Sequence, residues 1–364
     1  MGRANNQSMT DYFAYVGCRT SKERQGRGEG IDVFRIDGRS GAWSPINQVK
    51  GLENPSFLAF DRTGQLLFTV HGDMDTVSSF RIDRASGKLT FVNRVACGGR
   101  NPVHLVTDPT NRFLITANYA SGTLGAVPFA ADGTLGALAD VATLAGELGP
   151  HKTQQIGLYP HHIPYAPGDR WLVIPDKGGD QVCVYGFDAA IGKFRANDPV
   201  AVKTRSGSGP RHIDFHPSLP LAYLANELDS TIATYAWDGA KGMLRPLQIL
   251  PSLPDDYFGN NTTAEIWVAP SGRHVYISNR GHDSIVIFAI DPTRGLLSAV
   301  GWQSTLGRQP RFFRFDPAGR FLFACNELSD TIVTFTVDAA SGRLEATGNV
   351  AKSGTPTCII LAAC

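Results

Sequence analysis

Four ionisable side chains occupy positions from which they could act together on a small anion. His161 and Glu227 are residue types that accept or donate protons in catalysis, and the guanidinium groups of Arg211 and Arg280 suit carboxylate or phosphate oxygens. Their spacing follows an internal repeat, because His161 and Arg211 each come directly after the first residue of a repeat unit. Glu227 and Arg280 each follow an asparagine that lies 16 residues beyond the start of a unit. Residues at one offset of a repeat array face the same axis, so we expect the four side chains to meet.

Six further side chains at these or neighbouring offsets are predicted to contact a substrate. They are His104, Tyr119, Lys177, His212, Glu265 and Arg311. The histidines His104 and His212 could instead pack between neighbouring units. Glu265 could pair with a cation of an adjacent unit, because a buried carboxylate needs a partner. The recurring asparagines are interpreted as structural groups that cap turns.

The repeat that relates these residues has six ungapped copies, each with a polar residue 16 positions from its start. The copies begin at Pro55, Pro102, Pro160, Pro210, Thr263 and Pro310. Within each copy, runs of β-branched and aromatic residues alternate with Pro, Asp and Gly clusters, as in strands joined by turns. No stretch shows sustained helical periodicity. Four short strands in roughly 50 residues are typical of one blade of a β-propeller.

The two ends of the chain predict one more blade. Residues 12–43 contain the later strands of a unit but lack its first strand, and the segment PTCIIL from Pro356 matches that missing strand. We therefore predict an all-β, seven-bladed propeller with four-stranded blades, in which the C-terminal strand pairs into the N-terminal blade and removes an exposed sheet edge. Residues 12–364 would form this single domain, and residues 1–11 would be a disordered leader.

Composition excludes several classes of protein. The 364 residues carry 34 Lys and Arg against 33 Asp and Glu, without the basic excess of a nucleic-acid-binding protein. The sequence has no apolar run of about 18 residues, so no membrane-spanning helix is predicted. The N-terminus also lacks the apolar region of a secretory signal. The six cysteines have no metal-ligand spacing, which favours reduced thiols in a cytoplasmic protein. Phosphate-loop and metalloprotease motifs are absent, so no cofactor or metal is expected. The protein is separately expected to be a monomer or a weak dimer.

Several segments together resemble the seven-bladed lactonase family, which includes bacterial 6-phosphogluconolactonases and the fungal 3-carboxy-cis,cis-muconate lactonizing enzyme. The segments are NPSFL, DPTNRFLITANY, QQIGLYPHH, GSGPRHIDFHP followed by NEL, AEIWVAPSGRHVYISNRGHDSI and PRFFRFDPAGRFLFACNE. The resemblance spans residues 12–361. It implies that His161 matches the family's active-site histidine and that Arg211, Arg280 and Glu227 match its two arginines and glutamate. One departure is Tyr159, which stands where many members have the first histidine of a PHxH pair.

The residues and the resemblance favour a lactonase that hydrolyses a sugar lactone, phosphorylated or not, to the aldonic acid by metal-independent acid/base catalysis. One of His161 and Glu227 would be the base and the other the acid, and the two arginines would hold an oxyanion, phosphate or carboxylate. Two alternatives are a carboxymuconate-type cycloisomerase and a non-enzymatic propeller that binds proteins on its rim. The concentration of ionisable residues at the predicted channel mouth argues against the rim scaffold.

Overall fold

Twenty-seven β-strands and one three-residue 3₁₀ helix make up the regular structure of residues 10–364, the part of the chain that the computed structural model describes. The first eleven strands are β1 (Tyr12–Cys18), β2 (Gly30–Ile36), β3 (Trp43–Lys50), β4 (Phe57–Phe60), β5 (Leu66–Val70), β6 (Thr76–Ile82), β7 (Leu89–Ala96), β8 (Pro102–Thr107), β9 (Phe113–Asn118), β10 (Thr123–Pro128) and β11 (Asp140–Thr143). The 3₁₀ helix, Tyr119–Ser121, lies between β9 and β10. No helix in residues 10–364 is long and apolar enough to cross a membrane.

The remaining strands continue the same alternation of strand and turn. They are β12 (Trp171–Asp176), β13 (Gln181–Asp188), β14 (Lys193–Lys203), β15 (Pro210–Phe215), β16 (Leu221–Asn226), β17 (Thr231–Asp238), β18 (Met243–Pro251), β19 (Thr262–Val268), β20 (His274–Arg280), β21 (Ser284–Ile290), β22 (Leu297–Ser304), β23 (Pro310–Phe315), β24 (Phe321–Asn326), β25 (Thr331–Val337), β26 (Leu344–Lys352) and β27 (Pro356–Ala363).

These strands form seven antiparallel sheets, here called blades 1 to 7. Blade 1 has the order β27-β1-β2-β3, blade 2 comprises β4–β7, blade 3 β8–β11, blade 4 β12–β14, blade 5 β15–β18, blade 6 β19–β22 and blade 7 β23–β26. The predicted closure is confirmed, because β27 pairs with β1 from Tyr12 opposite Ala363 to Cys18 opposite Pro356. The chain therefore closes its own ring, and the edge of β1 is covered by the last strand.

Blade 4 departs from the pattern at its innermost position. Two isolated bridges, Pro160 with Asp176 and Tyr165 with Leu172, replace a continuous first strand. Proline has no backbone N–H to donate, so Pro164 interrupts the ladder, whereas Pro160 is matched by the prolines that begin the continuous inner strands β8, β15, β23 and β27. The segment 160–165 nevertheless holds the inner position of the blade, and it is grouped below with β27, β4, β8, β15, β19 and β23 as the inner strands.

The apolar core lies between blades. The second and third strands of a blade are covered on both faces, so strands such as β5 and β16 are buried along their whole length. The outermost strands alternate, with exposed residues on one face. Between blades 5 and 6, for example, Tyr223, Ile277 and Phe288 belong to one cluster of fully buried side chains. This packing of neighbouring faces holds the inner strands in a ring around the central channel.

A β-bulge occurs near the start of five inner strands: β8, β15, β19, β23 and β27. In β15, for instance, Pro210 faces Asn226 and His212 faces Ala225, so Arg211 is the extra residue. A bulge places two successive residues opposite one partner and redirects the side chain of the extra residue. Consecutive residues at this end of an inner strand can therefore both face the channel.

The leader predicted over residues 1–11 lies outside the described residues except for Thr10 and Asp11. The Asp11 carboxylate accepts a hydrogen bond from the N–H of Gly38 at 3.0 Å and pairs with Arg35. Asp11 is therefore attached to blade 1.

Candidate active site

A cavity of about 250 Å³ opens at the channel mouth where the inner strands begin. Nine of the ten residues predicted from the sequence line it. They are His161, Arg211, Glu227, Arg280, Tyr119, Lys177, His212, Glu265 and Arg311. The tenth, His104, does not line this cavity. The structure thus brings together side chains from blades 3 to 7, and the roles predicted for them remain predictions.

A repeated backbone hydrogen bond places the residues that follow the second strand of each blade. The N–H of this residue donates to the carbonyl of the residue before the inner strand in six blades: Arg19 to Thr355, Gly72 to Asn54, Tyr119 to Asn101, Lys177 to Tyr159, Glu227 to Gly209 and Glu327 to Gln309. In blade 5 the acceptor Gly209 has a φ of 62°, and a Cβ there would lie 2.5 Å from the Leu228 side chain. Glycine is favoured at this position, although the equivalent acceptors Asn54, Asn101, Gln309 and Thr355 also have positive φ.

The carboxylate of Glu227 lies among three cations from three blades. Its Oε1 is 3.0 Å from Lys177 Nζ, which donates a hydrogen bond, and its Oε2 is 3.0 Å from Arg211 Nε and 3.3 Å from Arg280 Nη2. The Arg211 contact is an ion pair without hydrogen-bond geometry, since Arg211 Nε has no hydrogen-bond acceptor among the described residues. Burial alone raises the pKa of Glu227, but Arg280, Lys177 and Arg211 outweigh burial and hold this pKa far below its ordinary value. Glu227 is therefore ionised throughout the neutral range and has no proton to donate.

The two arginines are fixed by a second set of contacts. Arg211 Nη1 donates to the carbonyl of Ala264, and Arg280 Nη2 donates to the carbonyl of Thr263 at 2.8 Å. Each guanidinium has five N–H donors, so the remaining N–H groups can serve a ligand. Glu227 and two adjacent carbonyls thus orient both arginines before any ligand enters.

His161 lines the same cavity, and neither nitrogen of its ring makes a hydrogen bond within the described residues. Its backbone N–H donates to the carbonyl of Pro175 at 3.0 Å, but its Nδ1 has no hydrogen-bond partner among residues 10–364. The ring meets the edge of Tyr119 at a centroid distance of 5.6 Å. Burial, followed by the positive charge of Arg211, lowers the pKa of His161 well below its ordinary value. The imidazole is therefore neutral at pH 7 and able to accept a proton.

His212 and Glu265 form a second buried pair at the floor of the cavity. His212 Nδ1 and Glu265 Oε1 are 3.1 Å apart and share a hydrogen bond. Burial lowers the pKa of His212 and raises the pKa of Glu265 to about 7. Glu265 was predicted to pair either with a cation of an adjacent blade or with a ligand. It does pair with a residue of the adjacent blade, but that residue is His212, whose imidazole is neutral, so the contact is a hydrogen bond. Glu265 Oε2 has no hydrogen-bond partner within the described part of the chain.

His104 lies on the far side of this floor. It packs against Phe57 and His162, each at a ring centroid distance of 4.2 Å, and lines the opposite end of the channel. His104 and His212 sit at the same offset of their units, yet only His212 reaches the mouth. The repeat fixes the ring on which a residue lies, but not the end of the channel toward which its side chain points.

Two arginines in the cavity, Arg19 and Arg24, were missed by the sequence reasoning. Arg19 Nε donates to Glu327 Oε1 at 2.7 Å, and Arg311 Nη1 lies 3.8 Å from Glu327 Oε2. The sequence register could have identified Arg19 as a cavity residue. Cys18 faces Pro356 in the same way that Asn326 faces Pro310. Arg19, the next residue, therefore lies at the same repeat offset as Glu227. Arg24 lies in the loop between β1 and β2, where no repeat offset applies, and it pairs with Asp73.

The family departure at Tyr159 also has a structural counterpart. Its ring stacks on Tyr119 at a centroid distance of 4.4 Å and an interplanar angle of 7°. Lys177 Nζ lies 5.8 Å from the Tyr119 ring centroid and donates to Gln154 Oε1 at 2.9 Å. This side of the cavity is therefore an aromatic wall backed by Tyr159 in place of a second histidine.

Fold and site together define a seven-bladed β-propeller whose channel mouth carries a cluster of cations around a neutral histidine and an ionised glutamate. The chain belongs to the seven-bladed β-propeller lactonase family, since the family model "Lactonase, 7-bladed beta-propeller" matches residues 13–361. It is similar to a 6-phosphogluconolactonase of Bacillus subtilis, with 34% identity over 310 residues that cover 85% of this chain and 86% of that protein. A 6-phosphogluconolactonase of Formosa agariphila is 32% identical over 315 residues, covering 83% and 86%.

A solved structure shows the same similarity in three dimensions. The periplasmic gluconolactonase PpgL of Pseudomonas aeruginosa superimposes with a TM-score of 0.89 at 31% identity, over 97% of this chain and 99% of that one. The expected family and fold are confirmed by these comparisons.

Proposed function

We propose that this protein hydrolyses a sugar lactone to the corresponding aldonic acid in the cavity at the channel mouth. The observation that carries the proposal is the neutral His161, whose ring makes no hydrogen bond within the described residues, in one cavity with the pre-oriented Arg211 and Arg280. Membership of the lactonase family and the activities named for the relatives support the reaction class.

In this proposal His161 is the group that moves the proton. It takes a proton from a water molecule as the water oxygen attacks the lactone carbonyl carbon, which becomes a tetrahedral oxyanion. The oxyanion then reforms the carbonyl and breaks the bond to the ring oxygen, and protonated His161 returns the proton to that oxygen. The new carboxylic acid ionises at neutral pH and releases one proton to solvent.

Glu227 has a different role from the one expected of an acid or a base. Three cations stabilise its ionised form, so protonating it during the reaction would cost their combined interaction. We assign it as a positioning residue that holds Lys177, Arg211 and Arg280 at fixed places. Arg211 and Arg280 then stabilise the oxyanion without reorganising, which is the usual source of electrostatic catalysis.

The charge of the cavity favours an anionic substrate. Its lining includes five arginines and one lysine against two carboxylates, Glu227 and Glu265. Glu327 and Asp73, just outside the lining, each pair with one or two of these arginines. A surplus of cations remains, and arginine suits phosphate oxygens. We therefore propose that a phosphorylated sugar lactone is preferred over its unphosphorylated counterpart.

A panel of lactones followed by proton release tests this function. The panel pairs a phosphorylated with an unphosphorylated sugar δ-lactone and adds a carboxymuconate, for which cycloisomerisation is followed by the loss of diene absorbance. We expect rapid proton release from the lactones, with a higher kcat/KM for the phosphorylated one, and no change in the muconate. A reaction without protein gives the background rate of spontaneous hydrolysis. Turnover of the muconate without lactone hydrolysis would overturn the proposal.

Three further properties accompany the proposal. We propose catalysis without a metal, a cytoplasmic location and a monomer or weak dimer. Within residues 10–364, no three His, Cys, Asp or Glu side chains form a group that could hold a metal ion. The location remains a prediction, because PpgL is periplasmic.

A further inference from the structure

The central channel has a second cavity at its other end, separate from the proposed active site. This lower cavity has a volume of about 390 Å³. Phe57, Phe312 and Glu265 line both cavities and therefore form the floor between them. The two aromatic rings meet edge to face at a centroid distance of 5.9 Å.

One cation of the lower cavity, Arg314 of β23, takes part in no ion pair or side-chain hydrogen bond within residues 10–364. Its guanidinium carbon lies 4.9 Å from the ring centroid of Trp267, which holds the group against one wall. The carboxylates of Asp214 and Glu265 also line this cavity and their charges act on Arg314, but neither forms an ion pair with it, and the Asp214 oxygens accept the N–H groups of Phe215 and Val268. Arg314 is half-buried, and the guanidinium donors that face the cavity are free to bind an anion.

A neutral donor faces the same space. His162 Nδ1 accepts a hydrogen bond from the N–H of Ile213 at 3.2 Å, and burial lowers the pKa of His162, so the proton of its neutral ring is on Nε2. The ring stacks on His212 at a centroid distance of 4.3 Å and an angle of 8°, which fixes its orientation. Nε2–H has no acceptor among the described residues.

The rest of the lower cavity is mainly apolar and aromatic. Its walls, against which a flat apolar body can pack, include Phe57, Phe60, Phe312, Trp267 and Ile360. Three buried polar atoms around it, Tyr165 OH, Trp267 Nε1 and His104 Nδ1, have no hydrogen-bond partner within residues 10–364. These three atoms are shielded from the cavity itself, so the polar contacts offered to a ligand are those of Arg314 and His162.

We propose that the lower cavity is a second binding site, distinct from the active site, for a small aromatic carboxylate. The carboxylate would bind Arg314 and His162 Nε2–H, and the ring would pack between Trp267 and the phenylalanines. A charge-assisted contact of this kind gives the anion its preference over a neutral ring of the same shape.

Binding of benzoate to the whole protein, measured by isothermal titration calorimetry, tests the proposal. We expect a saturable benzoate site that persists in Arg211→Met, where the cations of the other cavity are depleted. Its affinity should be about 10-fold or more weaker for benzyl alcohol, which lacks the charge, and for acetate, which lacks the ring. Arg314→Met should weaken benzoate binding about 10-fold or more, and Arg314→Lys should weaken it less. Arg211→Met is the matched control, because it removes an arginine from the other cavity and should leave benzoate affinity unchanged.

A measurement on the wild-type chain keeps the proposal testable if Arg314→Met does not fold. Photolabelling with 4-azidobenzoate, followed by peptide mapping, should place the label on the segment 160–165 or on β19, which carry Tyr165 and Trp267. Labelling confined to the end of β9 at Tyr119 would show that the carboxylate enters the active-site cavity. That result, equal binding of benzyl alcohol, loss of binding in Arg211→Met alone, or no saturable binding would each overturn the proposal.

Discussion

Replacing His161 by asparagine is the perturbation that tests the proposed catalytic assignment most directly. Asparagine keeps a polar side chain of smaller size but cannot take a proton from water at neutral pH. Within residues 10–364, the His161 ring makes no hydrogen bond to the cluster of Glu227, Lys177, Arg211 and Arg280. The contacts inside that cluster do not depend on the imidazole, so the cations that hold the substrate should stay in place. The variant therefore separates proton transfer from anion binding.

The expected loss is in kcat. A positioned acid/base group contributes about 10²–10⁴-fold, which corresponds to about 2.7–5.4 kcal/mol of transition-state stabilisation. Glu227 is a poor replacement for the lost base, because three cations oppose the protonation of its carboxylate. His212 is the neighbouring imidazole, with its ring centroid 5.2 Å from that of His161. It does not replace the base, because its Nδ1 is hydrogen-bonded to Glu265. We therefore expect a fall of about 10³-fold in kcat with KM changed by less than about 3-fold.

Steady-state proton release on the best lactone of the panel measures this effect, with His71→Asn as the control. His71 is also a fully buried histidine, bonded to the Glu53 carbonyl and to Ser78 Oγ at 2.7 Å each, and it lies at the offset where four other blades carry asparagine. The control should keep kcat within about 2-fold. If His161→Asn keeps kcat within about 5-fold while Glu227→Gln loses it, the base is Glu227 and the reasoning is wrong.

Four other outcomes follow from the structure. Glu227→Gln should lower the free energy of unfolding by about 3 kcal/mol in urea titrations, because it leaves three buried cations without their shared charge; no change would contradict the cluster. Deleting residues 356–364 removes β27 and should lower the melting temperature sharply, whereas a deletion that melts like the full chain would contradict ring closure by β27. Exhaustive chelation should leave lactone hydrolysis unchanged, and activity restored by added calcium or magnesium would refute metal independence. As the pH falls, kcat/KM should decline only below pH 6.5, because burial and Arg211 lower the pKa of His161 and its active, deprotonated ring persists down to that pKa. A decline that begins above pH 6.5 would point to another group.

The sequence alone was enough to predict the propeller and its closure. The repeat keeps one register over six copies, and the strand missing from the N-terminal unit is found at the other end of the chain, so β27 beside β1 could be predicted without any coordinates. The gathering of His161, Arg211, Glu227 and Arg280 was predictable for the same reason, since equal offsets in a ring of blades place residues at equal heights around one axis.

Tertiary structure decided what these residues can do. Glu227 was one of two candidate proton-transfer groups in the sequence, and only the arrival of Lys177, Arg211 and Arg280 from three blades shows that it stays ionised. A bulge lies at the same place in β15 and β8, yet Arg211 and His212 line the mouth while His104 lines the other end of the channel. A repeat register determines the strand and height of a residue, but side-chain direction and protonation depend on contacts such as Lys177 with Glu227, which are 50 residues apart in the chain and exist only once the blades pack.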